Sequence, residues 1–138
     1  MQRKLRALVV DDTSTITLLM ERMLDPVADV SIAHDGEQGV RIWAQALADD
    51  EPFDIIFMDV EMPVMDGITA ISTIRRHEQT HGLWQTPVVM STSVRSKQQV
   101  LAAKGFGAAG YLVKPVREPD ILRTLRRLGL LAGQVATG

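Results

Sequence analysis

The chain has 138 residues, 46% of them hydrophobic and 23% charged, with a formal net charge of -2 and no cysteine. This length and balance fit one globular domain around one core and exclude a disordered or fibrous chain. They also exclude disulfides, thiol catalysis and thiolate metal sites, and they give no reason to expect a basic surface for direct contact with nucleic acid. No apolar run approaches the roughly 20 residues that a membrane span needs, so the expectation is a cytoplasmic protein without membrane contact.

The first apolar run of strand length is "LRALVV" (5–10). After Asp12, Ile16, Leu19, Met20, Met23 and Leu24 recur every three or four residues, which predicts a helix closed by "DP" at 25–26. A weaker strand, "VADVSIA" (27–33), precedes helical spacing at Val40, Trp43, Ala44 and Leu47. The run "FDIIFM" (53–58) leads to Ile68, Ile71 and Ile74, and "PVVMS" (87–91) leads to Val100, Leu101 and Ala103. A fifth run, "GYLV" (110–113), precedes a last helix opening near "EPD", with Ile121, Leu122, Leu125 and Leu128 on one face. Pro119 sits at a tolerated first-turn position, Gly129 lies near the stop, and the basic residues Arg117, Arg123, Arg126 and Arg127 are expected to be solvated. Residues 1–131 are expected to form the domain, and 132–138 a tail or the start of a linker.

Strand and helix thus alternate five times. Parallel strands need long crossovers, and near-continuous apolar strands must be covered on both faces. The predicted fold is α/β, a doubly wound five-stranded parallel sheet in the order 2-1-3-4-5, flavodoxin-like. Ligands of such sheets bind beyond the carboxyl ends of the strands, where the order reverses between the first and third.

Polar residues gather at that edge. Asp11 and Asp12 follow the first strand, Asp59 the third, Ser91 to Ser93 the fourth and Lys114 the fifth. Three converging carboxylates repel one another unless cations compensate them; Lys114 supplies one charge, and a hard divalent ion such as Mg2+ suits the rest. Each residue has a plainer use as well. Asp59 reads as a nucleophile forming an acyl phosphate or as a cap, and Asp11, Asp12 or Thr13 as the cap of the first helix. Lys114 with Pro115 reads as a phosphate-binding point charge or as a turn.

The segments "VVDD" (9–12), "MDVEMPVMDG" (58–67), "PVVMSTS" (87–93) and "GYLVKP" (110–115) together resemble the response-regulator receiver domains of two-component phosphorelay signalling, from Leu5 to about Leu130. The resemblance implies that Asp59 is the phosphoacceptor. It implies a Mg2+ site, open to Mn2+, made by Asp12, Asp59 and the backbone carbonyl of Glu61, with Asp11 acting through water. Thr92 and Lys114 would hold the phosphoryl group, Tyr111 would be the aromatic switch residue, and the Lys114–Pro115 bond would be cis. The implied donor is a histidine kinase or histidine phosphotransfer protein. An effector or a second receiver protomer would read the face of the fourth helix, fifth strand and fifth helix. Such a module promotes its own modification and is not a turnover enzyme.

Other classes share parts of the pattern. A small aspartyl-phosphate hydrolase would need a substrate-covering cap, and no inserted cap is visible. A flavodoxin-like nucleotide binder would need a glycine-rich loop where "VVDDTSTIT" stands. A constitutive interaction surface would not need the acidic set. Several positions depart from the family. Ser93 replaces the usual alanine, which leaves Ser91 as a second candidate for the switch hydroxyl, and Val116 replaces a frequent phenylalanine. Glu61 and Val94 occupy variable positions that bear on phosphoryl lifetime. The segment "HEQTHGLWQT" (77–86) reads as a long loop of the kind found in receivers of hybrid kinases. His77 and His81 in it are expected to be solvated, and Trp84 to lie back on the domain, with anchoring of a partner as its other use.

Overall fold

The structure, a computed structural model, describes residues 3–93 and 97–132; Val94 and residues 133–138 lie outside them. Ten elements alternate: β1 (Leu5–Val10), α1 (Ser14–Leu24), β2 (Ala28–Ala33), α2 (Gly36–Ala48), β3 (Ile55–Asp59), α3 (Gly67–His81), β4 (Val88–Thr92), α4 (Lys97–Gly105), β5 (Gly110–Val113) and α5 (Glu118–Arg127). The strands form one parallel sheet in the order β2-β1-β3-β4-β5. The predicted architecture and strand order are therefore those observed.

Period-two alternation divides the core into two layers. Val9, Ile55, Phe57, Val89 and Leu112 face α1 and α5, where they meet Met20, Leu24, Ile121 and Leu125. Leu8, Val10, Ile56, Met58, Val88 and Met90 face the other way, onto Trp43 of α2, Ile71 and Ile74 of α3 and Ala103 of α4. Every residue of β3 and β4 is buried. Each large side chain so covered contributes about 1.5–3 kcal/mol.

The helix starts follow local chemistry. Asp35 accepts from Gln38 N at 2.8 Å while Gln38 Oε1 accepts from His34 N at 2.6 Å, a reciprocal cap for α2. Asp66 accepts from Thr69 N at 2.7 Å at the start of α3. At α1 the capping position falls to Thr13, whose side chain makes no capping bond; Asp11 Oδ1 instead accepts from Thr13 N at 2.9 Å. Among the described residues no helix is long and apolar enough to cross a membrane.

Two expectations for 77–86 are corrected. The segment is helical through His81, because Glu78 is a buried anchor and not a loop residue. Its Oε1 accepts from Arg75 Nη1 at 2.8 Å and its Oε2 from Thr86 N at 2.6 Å. Arg75 also donates to the carbonyls of Phe106 and Gly107, and Trp43 Nε1 donates to Thr86 Oγ1 at 3.0 Å. Trp84 does not lie back on the domain: it is 95% exposed. Both ends of its loop are pinned to Glu78, by Leu83 N on the carbonyl and Thr86 N on the carboxylate, which leaves Trp84 at the outer bend.

Candidate functional site

Strand alternation builds the site. Asp11, Asp59 and Lys114 each come two residues after Val9, Phe57 and Leu112, three members of one core layer, so they leave the sheet on one side and at one edge. Asp11 and Asp59 are buried and Asp12 is exposed, yet ligand atoms of all three carboxylates lie within 4.8 Å of one another. Lys114 Nζ lies 2.9 Å from Asp11 Oδ2 and 3.2 Å from Asp59 Oδ1, so one ammonium bridges two acids.

Burial and the neighbouring Asp11 charge push the Asp59 carboxyl up to about 6, against the pull of Lys114 and of the Glu61 N–H. Burial alone would lower Lys114, but the hydrogen bond to Asp11 and the charges of Asp59 and Asp11 raise it above its ordinary value, so it stays cationic. Three carboxylates sharing one lysine leave an excess of negative charge among hard oxygen donors. That donor set fits a divalent ion such as Mg2+.

The loop beyond Asp59 is held tightly. Glu61 N donates to Asp59 Oδ1 at 3.4 Å, and Glu61 itself is exposed. Gly67 N donates to the Val60 carbonyl at 2.8 Å, and a β-carbon at Gly67 would collide with the Asp59 carbonyl oxygen. Val64 has φ 68°, a left-handed position that a β-branched residue adopts at a cost of about 1–3 kcal/mol. Its neighbours hold it there: Met65 N donates to the Pro63 carbonyl at 2.7 Å, and Gly36 N donates to the Met65 carbonyl at 3.0 Å.

The remaining candidates lie on β4 and β5. Ser91 pairs with Asp59 across β3 and β4; Thr92 stands one residue nearer the carboxyl edge, and both are buried. The Thr92 carbonyl accepts from Lys114 N at 2.9 Å, and the Lys114–Pro115 peptide bond is cis. Tyr111 is farther off. Half-buried with the layer that includes Ala103 and Phe106, it donates from its hydroxyl to the Val100 carbonyl of α4 at 3.1 Å. The lysine bridge to Asp11 was the part of this arrangement that sequence reasoning missed, because neither alternation nor motif spacing says which acid the flexible Lys114 side chain reaches.

A family model described as "Response regulator receiver domain" matches residues 7–126. The chain belongs to the response regulator receiver domain family. The receiver domain is 36% identical over 124 residues to the transcriptional regulatory protein CpxR of Klebsiella pneumoniae, covering 89% of this chain and 48% of that protein. It is 33% identical over 130 residues to hybrid signal transduction histidine kinase G of Dictyostelium discoideum, covering 92% of this chain and 4% of the kinase. The chain thus spans about half or less of these curated relatives. Among solved structures, chemotaxis protein CheY4 of Vibrio cholerae shares 33% identity and a TM-score of 0.76, over 91% of this chain and 98% of that one. The receiver domain therefore belongs to the signalling phosphoacceptors of two-component systems and phosphorelays. Domains of this family bind Mg2+ at an acidic cluster such as Asp11, Asp12 and Asp59 form here.

Proposed function

We propose that this receiver domain takes a phosphoryl group onto Asp59 from a phosphohistidine of a histidine kinase or histidine phosphotransfer protein. The observation that carries the assignment is the buried Asp59 carboxylate, bridged through Lys114 to Asp11 at the carboxyl edge of the switch-point strands. Oδ1 of Asp59 is held by Lys114 Nζ at 3.2 Å and by the Glu61 N–H at 3.4 Å, which fixes the carboxylate for attack at the crevice. In the transfer, an oxygen of the Asp59 carboxylate bonds to phosphorus, the phosphorus–nitrogen bond of the donor breaks, and the released imidazole takes up a proton. The product is an acyl phosphate on the domain itself, so the chain is modified and does not turn over a free substrate.

Asp12, Asp59 and the Glu61 carbonyl would hold Mg2+, with Asp11 acting through water; Mn2+ has the same oxygen preference. When bound, the ion offsets charge on the phosphoryl oxygens as the group is transferred. Lys114 stays cationic beside Asp59 and is placed to pair with a phosphoryl oxygen. Thr92 is favoured over Ser91 as the hydroxyl that meets the group, since it stands one residue beyond the Asp59 register partner, towards the open edge. Its movement would free space for Tyr111 and reshape the face of α4, β5 and α5 for an effector or a second receiver.

Intact mass after incubation with Mg2+ and acetyl phosphate tests this. One phosphoryl group is expected on the wild type and on Ser91→Ala, and none on Asp59→Asn or after chelation. Phosphorylation of Asp59→Asn to the wild-type level would refute the assignment.

A further inference from the structure

Residues 77–81, the last five of α3, read His-Glu-Gln-Thr-His. A spacing of four places both imidazoles on one helix face. Their ring centres are 4.3 Å apart, and the planes are tilted by 32°. His77 is braced edge-on by Trp43, with centres 5.3 Å apart and planes at 80°. His81 Nδ1 lies 3.0 Å from the His77 carbonyl oxygen. A carbonyl only accepts, so the proton belongs on Nδ1 and the Nε2 lone pair is left bare. That tautomer, fixed by a backbone carbonyl, is the form in which histidine ligates a metal.

We infer that His77 and His81 form a two-histidine site for a late first-row divalent ion, binding Cu2+ more tightly than Ni2+ or Zn2+. Imidazole donors suit these ions, and the order follows their general affinity series. The negative end of the α3 dipole lies in the same turn and favours a cation. Glu78, between the two histidines, cannot serve as a base on a metal-bound water, because it is buried against Arg75 and the Thr86 N–H. The pattern His-Glu-x-x-His, known from metal-dependent proteases, is thus reduced here to metal binding, with water completing the coordination. Along α3 the pair stands about 20 Å from the acidic crevice.

The test is Cu2+ titration of the whole chain in excess Mg2+, followed by electron paramagnetic resonance and by Trp43 fluorescence in a Trp84→Phe background. One Cu2+ per chain is expected, with hyperfine splitting from two imidazole nitrogens and quenching of Trp43. His81→Ala, at an exposed position, should weaken binding roughly a hundredfold, since one of two linked donors is lost. His77→Gln should do the same while keeping a side chain against Trp43. Unchanged affinity in both variants would overturn the site, as would an all-oxygen signal, which would put the ion in the acidic crevice.

Discussion

Asp59 shows how one side chain can weigh against the fold that positions it. Its folded pKa, about 6, lies above the ordinary 3.8, so ionisation disfavours the native state. The penalty is absent below about pH 4, where the carboxyl is protonated in both states, grows between pH 4 and 6, and is complete above. With allowance for screening at the crevice mouth it amounts to about 1–2 kcal/mol. Asp59→Asn is therefore expected to melt higher than the wild type at pH 7.5 without metal and to lose that advantage near pH 4, as thermal melts at the two pH values will show. Mg2+ should narrow or reverse the difference by stabilising the wild type, and calorimetric titration should find its affinity falling as the pH drops through about 6, where proton and cation compete for one carboxylate.

At the scale of elements, α3 ties the crevice to the opposite edge of the sheet. It starts at Gly67, packed against the Asp59 carbonyl, and its last turns carry Glu78 and the two histidines. Gly67→Ala inserts a methyl where backbone already lies, and is expected to destabilise by about 2 kcal/mol or more and to weaken Mg2+ binding along with stability; urea unfolding with and without Mg2+ reads both. Glu78→Ala leaves the Arg75 guanidinium buried without its carboxylate and the Thr86 N–H without its acceptor. A loss of about 3–5 kcal/mol is expected, measurable by urea unfolding, with acetyl phosphate still reacting at Asp59 in whatever fraction stays folded. Neither effect is legible from helical spacing, because a buried Arg–Glu pair and an exposed one at the same three-residue separation look alike in sequence.

For the whole molecule, the two core layers divide stability unevenly. β1, β3 and β4 are covered on both sides, whereas α4 places one buried side chain, Ala103, against the sheet among its described residues, aided by the Tyr111 hydroxyl on the Val100 carbonyl. Elements with little buried surface open at low free energy. Hydrogen exchange is expected to find α4 amides exchanging ahead of β1 and β3. Tyr111→Phe should accelerate α4 further while changing global stability by about 1 kcal/mol or less. Such a helix beside the switch candidates Thr92 and Tyr111 is one that a change of charge at the crevice can bias.

Much of this protein was legible in its sequence because parallel strands buried on both faces leave continuous apolar runs, and crossovers leave helical spacing between them. The order of those runs set the five-stranded fold, and the rule that ligands gather at the carboxyl edge picked out Asp11, Asp12, Asp59 and Lys114 before any coordinates were needed. Contacts between segments distant in the chain had no such trace. Only packing decided that Lys114 bridges Asp11 as well as Asp59, that Glu78 turns inward to hold α3 helical through His81, and that Trp84 is left in solvent. Periodicity reports which face a residue occupies, but which partner a long side chain reaches depends on where other elements end, and that is a property of the folded chain.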